Sequence, residues 1–364
     1  STVIRIGSPS IAVGATHNVV KNCVVRMSAS TVGIAITSGS GVTLFGIAEA
    51  PNSNNTIENN AVSNTQTAIY AYGPAGLDAN WTIRRNDITT VGFGGIQINN
   101  GIGTQILDNN ISNVSINGAQ PTTGITLSFE ARNTVIARNK ISNVANTVGN
   151  GAYGMYFDVN TTSTSIDVYN NFILNASCPA GAAIWQNAHG IYADLGNGFN
   201  IYHNTVQLAT NSAAAATNGV FTFDPFAALG GITAGGVNLR NNIASNVQTT
   251  GNRYGIYSTG VPGMFATIDF NDYDVTSGNL GFIGGIARTT IAAMQAGFGG
   301  NLNSIATPPT FVSAADLHVQ NVVANAPLYI ATPPATPAIT TDIDSDPRNA
   351  PLYTVGADEV SYVR

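Results

Sequence analysis

Residues 133–143 read NTVIARNKISN. Nearly the same phrase returns as NTIENNAVSN from Asn55, TQILDNNISN from Thr104, FNIYHNTVQL from Phe199 and VNLRNNIASN from Val237. Alignment on an asparagine followed two residues later by Ile, Val or an aromatic gives Asn22, Asn60, Asn86, Asn109, Asn139, Asn171, Asn204, Asn241 and Asn271, at intervals of 23 to 38 residues. A period in this range marks a solenoid, and short alternating runs without helical spacing select strands over helices as its building blocks. Two strands per coil are expected. One is the phrase itself, with Ile57, Ile83, Ile106, Ile136, Ile201 and Ile268 inward. The other follows a glycine, as in GIQIN from Gly95, GITLS from Gly124, GMYFD from Gly154 and GIYAD from Gly190.

The asparagine has a physical reason to recur. A coil that turns sharply pushes a residue toward the left-handed region, which Asn tolerates better than most. Stacked coils then let each side-chain amide donate to the next, so a buried polar column satisfies itself. These nine asparagines are therefore assigned a structural ladder role.

The register-consistent "NxI" repeat resembles the right-handed parallel β-helices of the pectate-lyase-like superfamily over about residues 3–275. That resemblance implies an all-β, right-handed parallel β-helix of about nine coils, expected over residues 1–278, followed by a C-terminal capping segment over 279–364. It implies no particular activity, because one fold hosts lyases, glycosidases, adhesins and tailspikes. In the C-terminal segment, RTTIAAMQAGFGG at 288–300 predicts a short helix with Ile291, Met294 and Phe298 on its apolar face. TPPTFV, DLHVQ and TTDIDSDPRNAPLYTVGADEV follow. This order resembles the tail that follows β-helix domains in secreted surface proteins of Bacteroidetes-type bacteria, with Ser345 in place of a usual glycine. The simplest task for the tail is to cover the open edge and flank of the solenoid. Asp342, Asp344 and Asp346 alternate as in a Ca²⁺ loop but lack the glycine and distal Glu of an EF-hand. A turn closed by an Asp346–Arg348 pair is the competing reading.

Composition narrows the function classes. Charged residues make up 9% of the chain, the formal net charge is −6 and Lys21 and Lys140 are the two lysines, which argues against nucleic acid or an anionic membrane as partner. No hydrophobic run approaches the ~20 residues of a membrane span. The opening STVIRIG already reads as a strand, so the chain is expected to belong to a longer, secreted protein displayed outside the cell or on its surface. Cys23 and Cys178 fall five coils apart, about 24 Å at the ~4.8 Å interstrand spacing, so they are expected to be free thiols.

Alternation on the glycine-led strand assigns two outward columns. The first reads Ala35, Tyr70, Gln97, Thr126, Tyr156, Tyr192, Phe221 and Tyr257; the second reads Thr37, Tyr72, Asn99, Ser128, Asp158, Asp194, Phe223 and Thr259. Glu130 and Asp224 lie just beyond the strand ends. Aromatic rings beside amides and carboxylates suit sugar rings, whose C–H faces stack on aromatic planes while hydroxyls take the polar groups. Tyr70, Tyr156, Tyr192, Phe221, Tyr257, Glu130 and Asp224 are therefore the candidate ligand-binding residues, with an extracellular glycan or cell-surface molecule as partner. Asp158 and Asp194, on adjacent coils, form a candidate glycosidase pair, since neighbouring carboxylates raise one pKa as a general acid requires. No Arg or Lys stands on these columns to bind a uronic acid or act as a lyase base. Two alternatives stand beside glycan-binding display: a polysaccharide hydrolase, and a stalk with no ligand, its strip covered by the loops at 174–188 or 209–217. His189, with Trp185, is placed at the border of the strip as a surface donor. No metal-binding histidine pair, P-loop, GxSxG or CxxC is present.

Overall fold

The computed structural model describes residues 1–8, 10–74, 78–179, 181–334, 337–349 and 351–360. Three strands, not two, make each coil. The recurring phrase is itself two strands hinged at its asparagine: Thr82–Arg84 and the strand opening at Asp87, then Gln105–Leu107 and Asn110–Ile116, then Thr164–Tyr169 and Phe172–Ser177. The glycine-led strand is the third, as in Ala152–Val159 and Ala188–Leu195. Each strand pairs in parallel with its counterpart one coil on, so the chain winds into a right-handed parallel β-helix.

Identical columns of side chains fill the interior. Ile57, Ile83, Ile106, Ile136, Val168, Ile201, Leu239 and Ile268 stand in one vertical register. All are buried. The glycines that lead the third strand explain themselves in the same way: a Cβ on Gly124 or Gly154 would meet the carbonyl oxygen of the next coil at 2.6 Å and a methyl of Ile141 or Ile173 at 2.6 or 2.4 Å. Only glycine fits there without moving the neighbouring sheet.

The asparagine ladder is continuous, and two of its expected members are displaced. Asn86, Asn109, Asn139, Asn171, Asn204, Asn242 and Asn271 each accept, at Oδ1, the side-chain and backbone N–H groups of the ladder asparagine one coil earlier, and Asn60 Oδ1 accepts the backbone N–H of Cys23. Ser304 closes the column, its Oγ accepting the Asn271 N–H at 3.1 Å. Asn22 and Asn241 are not rungs. They sit one residue earlier at φ +56° and +61°, the left-handed bend itself, as do Asn59, Arg85, Asp108, Arg138, Asn170, His203 and Phe270. Twin asparagines at 241–242 and the Asn-Cys pair at 22–23 made the alignment slip by one. The left-handed strain thus falls on the residue before the ladder, and the ladder residue is free to be chosen for its amide.

Both ends differ from the repeat. The sheet continues through Asn279–Ile283, which pairs in parallel with Asn252–Ser258 and turns back into the antiparallel strand Ile286–Arg288. The helix Ile291–Phe298 follows, started by Thr290, whose Oγ1 accepts the Ala293 N–H at 3.1 Å, and stopped by Gly299 at φ +70°. Met294 and Phe298 pack into the end of the core, closing the last coil. At the opposite end, strands Thr2–Gly7, Val19–Lys21 and Val24–Arg26 have a partner on one side only among the described residues.

From residue 311 the chain runs back along the flank. The antiparallel pair Phe311–Ser313 and Asp316–Val319 lays Leu317 beside Phe172 and Leu174. Leu328, Tyr353 and Val355 cluster on Ile243. Backbone contacts fix the strap: Gly356 N–H donates to the Asn241 carbonyl at 2.7 Å, and Ala357 N–H to Thr205 Oγ1 at 2.9 Å. Arg348, fully buried, gathers the rest. It pairs with Glu359 at 3.1 Å, donates to Asn170 Oδ1 at 2.7 Å and reaches the carbonyls of Thr354, Gly356 and Ala357. Arg348 therefore partners Glu359, and the Asp346–Arg348 turn pair is replaced. Asp342 shapes the turn instead, its Oδ1 accepting from the N–H groups of Asp344 and Asp346, both at 2.9 Å. Ser345 takes φ +73°, the conformation a glycine would supply without strain. Cys23 and Cys178 are free thiols, the first partly exposed and the second buried. Among the described residues no helix is long and apolar enough to cross a membrane.

Candidate functional site

Strand register redraws the outward columns of the glycine-led sheet. The first runs Thr37, Tyr70, Gln97, Thr126, Tyr156, Tyr192, Thr222, Tyr257 and Phe282. Phe221 and Ala35 are not on it. Phe221 pairs with Ile191 and is wholly in the core, because Gly219 takes the outward place of His189 and Val220 the inward place that glycine holds in other coils. In the first coil Ala35 fills the same inward slot.

The expected exposed aromatic strip is broken. Tyr70 is 6% exposed under Phe45, whose ring meets it edge-on at 5.1 Å. Tyr192 is 2% exposed, stacked on Tyr153 at 4.9 Å. Tyr153 belongs to a third outward column, three residues before the first, that also holds Thr123, His189 and Tyr254. Strict alternation carried back from Tyr156 would turn Tyr153 inward; it faces outward because Gly154 and Met155 both face the core. Tyr153, His189 and Tyr192 form a small flanking core beneath the 3₁₀ turn Ile184–Gln186, to which the Tyr153 hydroxyl donates at the Trp185 carbonyl. His189 is correspondingly buried and no surface donor. Its Nε2–H donates to the Ile184 carbonyl at 2.9 Å, while Nδ1 accepts from Gly219 N–H at 3.2 Å and lies 2.9 Å from Thr222 Oγ1. Burial lowers its pKa to about 4, so the ring is neutral. Tyr156 and Tyr257 remain partly open, the latter stacked on Phe282 at 4.5 Å.

One recess opens beside Tyr156. Its volume is about 290 Å³, and it is lined by Phe93, Gln97, Gln120, Pro121, Thr123, Thr126, Ser128, Tyr156 and Asp158. Gln97, Thr126, Tyr156, Ser128 and Asp158 come from the two outward columns. Phe93 stands just before Gly94 in the strand Asp87–Ile102, Gln120 and Pro121 come from the connection before Thr122, and no repeat signal announces them. The lining offers two aromatic rings, two amides, three hydroxyls besides that of Tyr156, one carboxyl and no cation.

The carboxylates are arranged differently from a simple stack. A bulge between Phe157 and Asp158 sets Asp158 opposite Leu195, leaving Asp194 as the extra residue. Asp194 accepts the Tyr156 hydroxyl at 3.0 Å, and its Oδ1 is buried without a partner. Asp224, one coil on, repeats the motif: its Oδ2 accepts the Tyr192 hydroxyl at 3.0 Å, and its Oδ1 accepts from Thr259 at 2.5 Å. Burial raises Asp158 to about 6, and burial together with the Asp158 charge raises Asp194 to about 7. The same surroundings push the Tyr156 and Tyr192 hydroxyls far up, keeping them as donors. Glu130 stands apart, beyond the bend at Phe129, in an ion pair with Arg132.

The class of protein these coils define is the right-handed parallel β-helix. Residues 45–225, which carry the recess, Asp158, Asp194 and Asp224, match the family described as a right handed beta helix region. No curated protein and no solved structure gives a significant match.

Proposed function

We propose that this chain is an extracellular or cell-surface β-helix protein of display or adhesion that binds an uncharged carbohydrate in the recess at Tyr156. The recess carries the reading: rings of Phe93 and Tyr156 beside amides and hydroxyls suit a sugar, and a lining without Arg or Lys disfavours uronic acids. The charge-poor surface and the resemblance of the tail to those of secreted surface proteins support the location. The test is a glycan array probed with the full chain and with Tyr156→Ala and Gln97→Ala. Binding to neutral glycans that each variant weakens about tenfold, the equivalent of 1.4 kcal/mol, is expected. Binding confined to acidic glycans, or indifferent to both substitutions, would sink the proposal.

A second reading is favoured by the raised carboxyl pair. Asp158 near 6 and Asp194 near 7 are poised to exchange protons at neutral pH, as a glycosidase acid requires. Reducing-end release from neutral polysaccharides, abolished in Asp158→Asn and Asp194→Asn, is the expected result. Unchanged release in either variant removes the pair from any such role.

A further inference from the structure

The tail brings together three ligand-type side chains that lie far apart in sequence. His318 comes from the strand Asp316–Val319, Asp344 from the turn that Asp342 organises, and Asp358 from the segment clasped by Arg348. One ligand atom from each lies within 4.8 Å of the others. We propose that His318 Nε2, Asp344 and Asp358 bind a divalent transition ion of the Zn²⁺ type, which staples the strap to itself where it crosses Phe172 and Lys140.

Three observations support the assignment. Asp316 accepts from His318 Nδ1, which fixes the ring and turns Nε2 toward the carboxylates. A carboxylate behind the distal nitrogen is the usual partner of a metal-binding imidazole. His318 Nε2 lies 2.6 Å from Asp344 Oδ2, so the imidazole and this carboxylate already face each other. Asp358 is 8% exposed, its Oδ2 accepting the Val319 N–H at 2.7 Å, which holds a buried carboxyl beside the other two groups.

The donor set of one imidazole and two carboxylates decides the class of ion. Ca²⁺ and Mg²⁺ favour oxygen-only shells, whereas Zn²⁺ accepts nitrogen with oxygen and is satisfied by three protein ligands and a water. Asp342 is not available to a Ca²⁺ loop, because Oδ1 accepts from Asp344 and Asp346 and Oδ2 from the Glu359 N–H at 3.1 Å. A recess of about 270 Å³ between strap and solenoid, lined in part by Lys140, Phe172, Asp316 and His318, gives a hydrated ion its way in.

The experiment is native mass spectrometry of the untagged full chain, stripped with chelator and titrated with ZnCl₂, with Co²⁺ absorption as a second readout. One Zn²⁺ per chain is expected, together with visible Co²⁺ bands of low coordination number. His318→Gln and Asp344→Asn should remove both signals, and Asp316→Asn should weaken binding about 10–100-fold. Asp344 has a side chain 45% exposed, so Asp344→Asn tests the site without disturbing the packing. Failure to retain Zn²⁺, or retention undiminished in Asp344→Asn and His318→Gln, overturns the proposal.

Discussion

Asn139 illustrates what a single residue does in this fold. Its Oδ1 serves the N–H and amide of Asn109, and its own amide serves Asn171 and the carbonyl of Ile106. Asn139→Ala therefore strands several buried groups at once, at about 1–3 kcal/mol each. Equilibrium denaturation should show a loss larger than that of any surface substitution. The carboxyl Asp194 makes the opposite kind of prediction. Its folded pKa, about 7, lies above the unfolded value of 3.8, so the native state holds the proton more tightly. Its destabilisation is absent below pH 4, grows through the interval up to 7 and is complete above it. Asp194→Asn should flatten that fall in stability with pH, read from denaturation midpoints between pH 4 and 8. At this scale the sequence disclosed the ladder chemistry but not its register: an amide next to another amide looks the same in a repeat, and only the backbone decides which of Asn241 and Asn242 bends and which stacks.

The strap is an element whose hold converges on Arg348. Removing the guanidinium leaves Glu359, with its side chain 2% exposed, as an unpaired buried charge. Loss of one partner of such a pair costs about 3–5 kcal/mol. Arg348→Met should accelerate limited proteolysis within 311–349, while the coils themselves stay resistant. Arg348→Lys should not rescue it, because a single ammonium cannot reach Asn170, Glu359 and three carbonyls together. The helix at 291–298 was legible from spacing and its terminal glycines, and the inward isoleucines from simple alternation. The third strand of each coil was hidden because the hinge asparagine splits a phrase that reads as one run. The covering of Tyr192 was hidden because loop 183–187 owes its position to Tyr153 and His189, which face outward only because the alternation breaks at the glycine that follows them.

Across the whole molecule, stability follows nearest-neighbour stacking. The first coil has one neighbour and leaves Val24 82% and Val19 58% exposed. Hydrogen exchange should be fastest in Val19–Lys21 and Val24–Arg26 and slowest at Ile106, Ile136 and Val168, where every strand is paired on both sides. Uniform protection along the axis would contradict this account. The opposite end behaves differently because the strap returns past Asn170, Thr205 and Asn241, which lie on three consecutive coils. A stack bound only by its rungs yields to axial tension by peeling, one layer after another. A tie laid lengthwise across several layers forces those layers to shear together, so the later coils of this chain should resist pulling as a block while the earlier ones unwind singly.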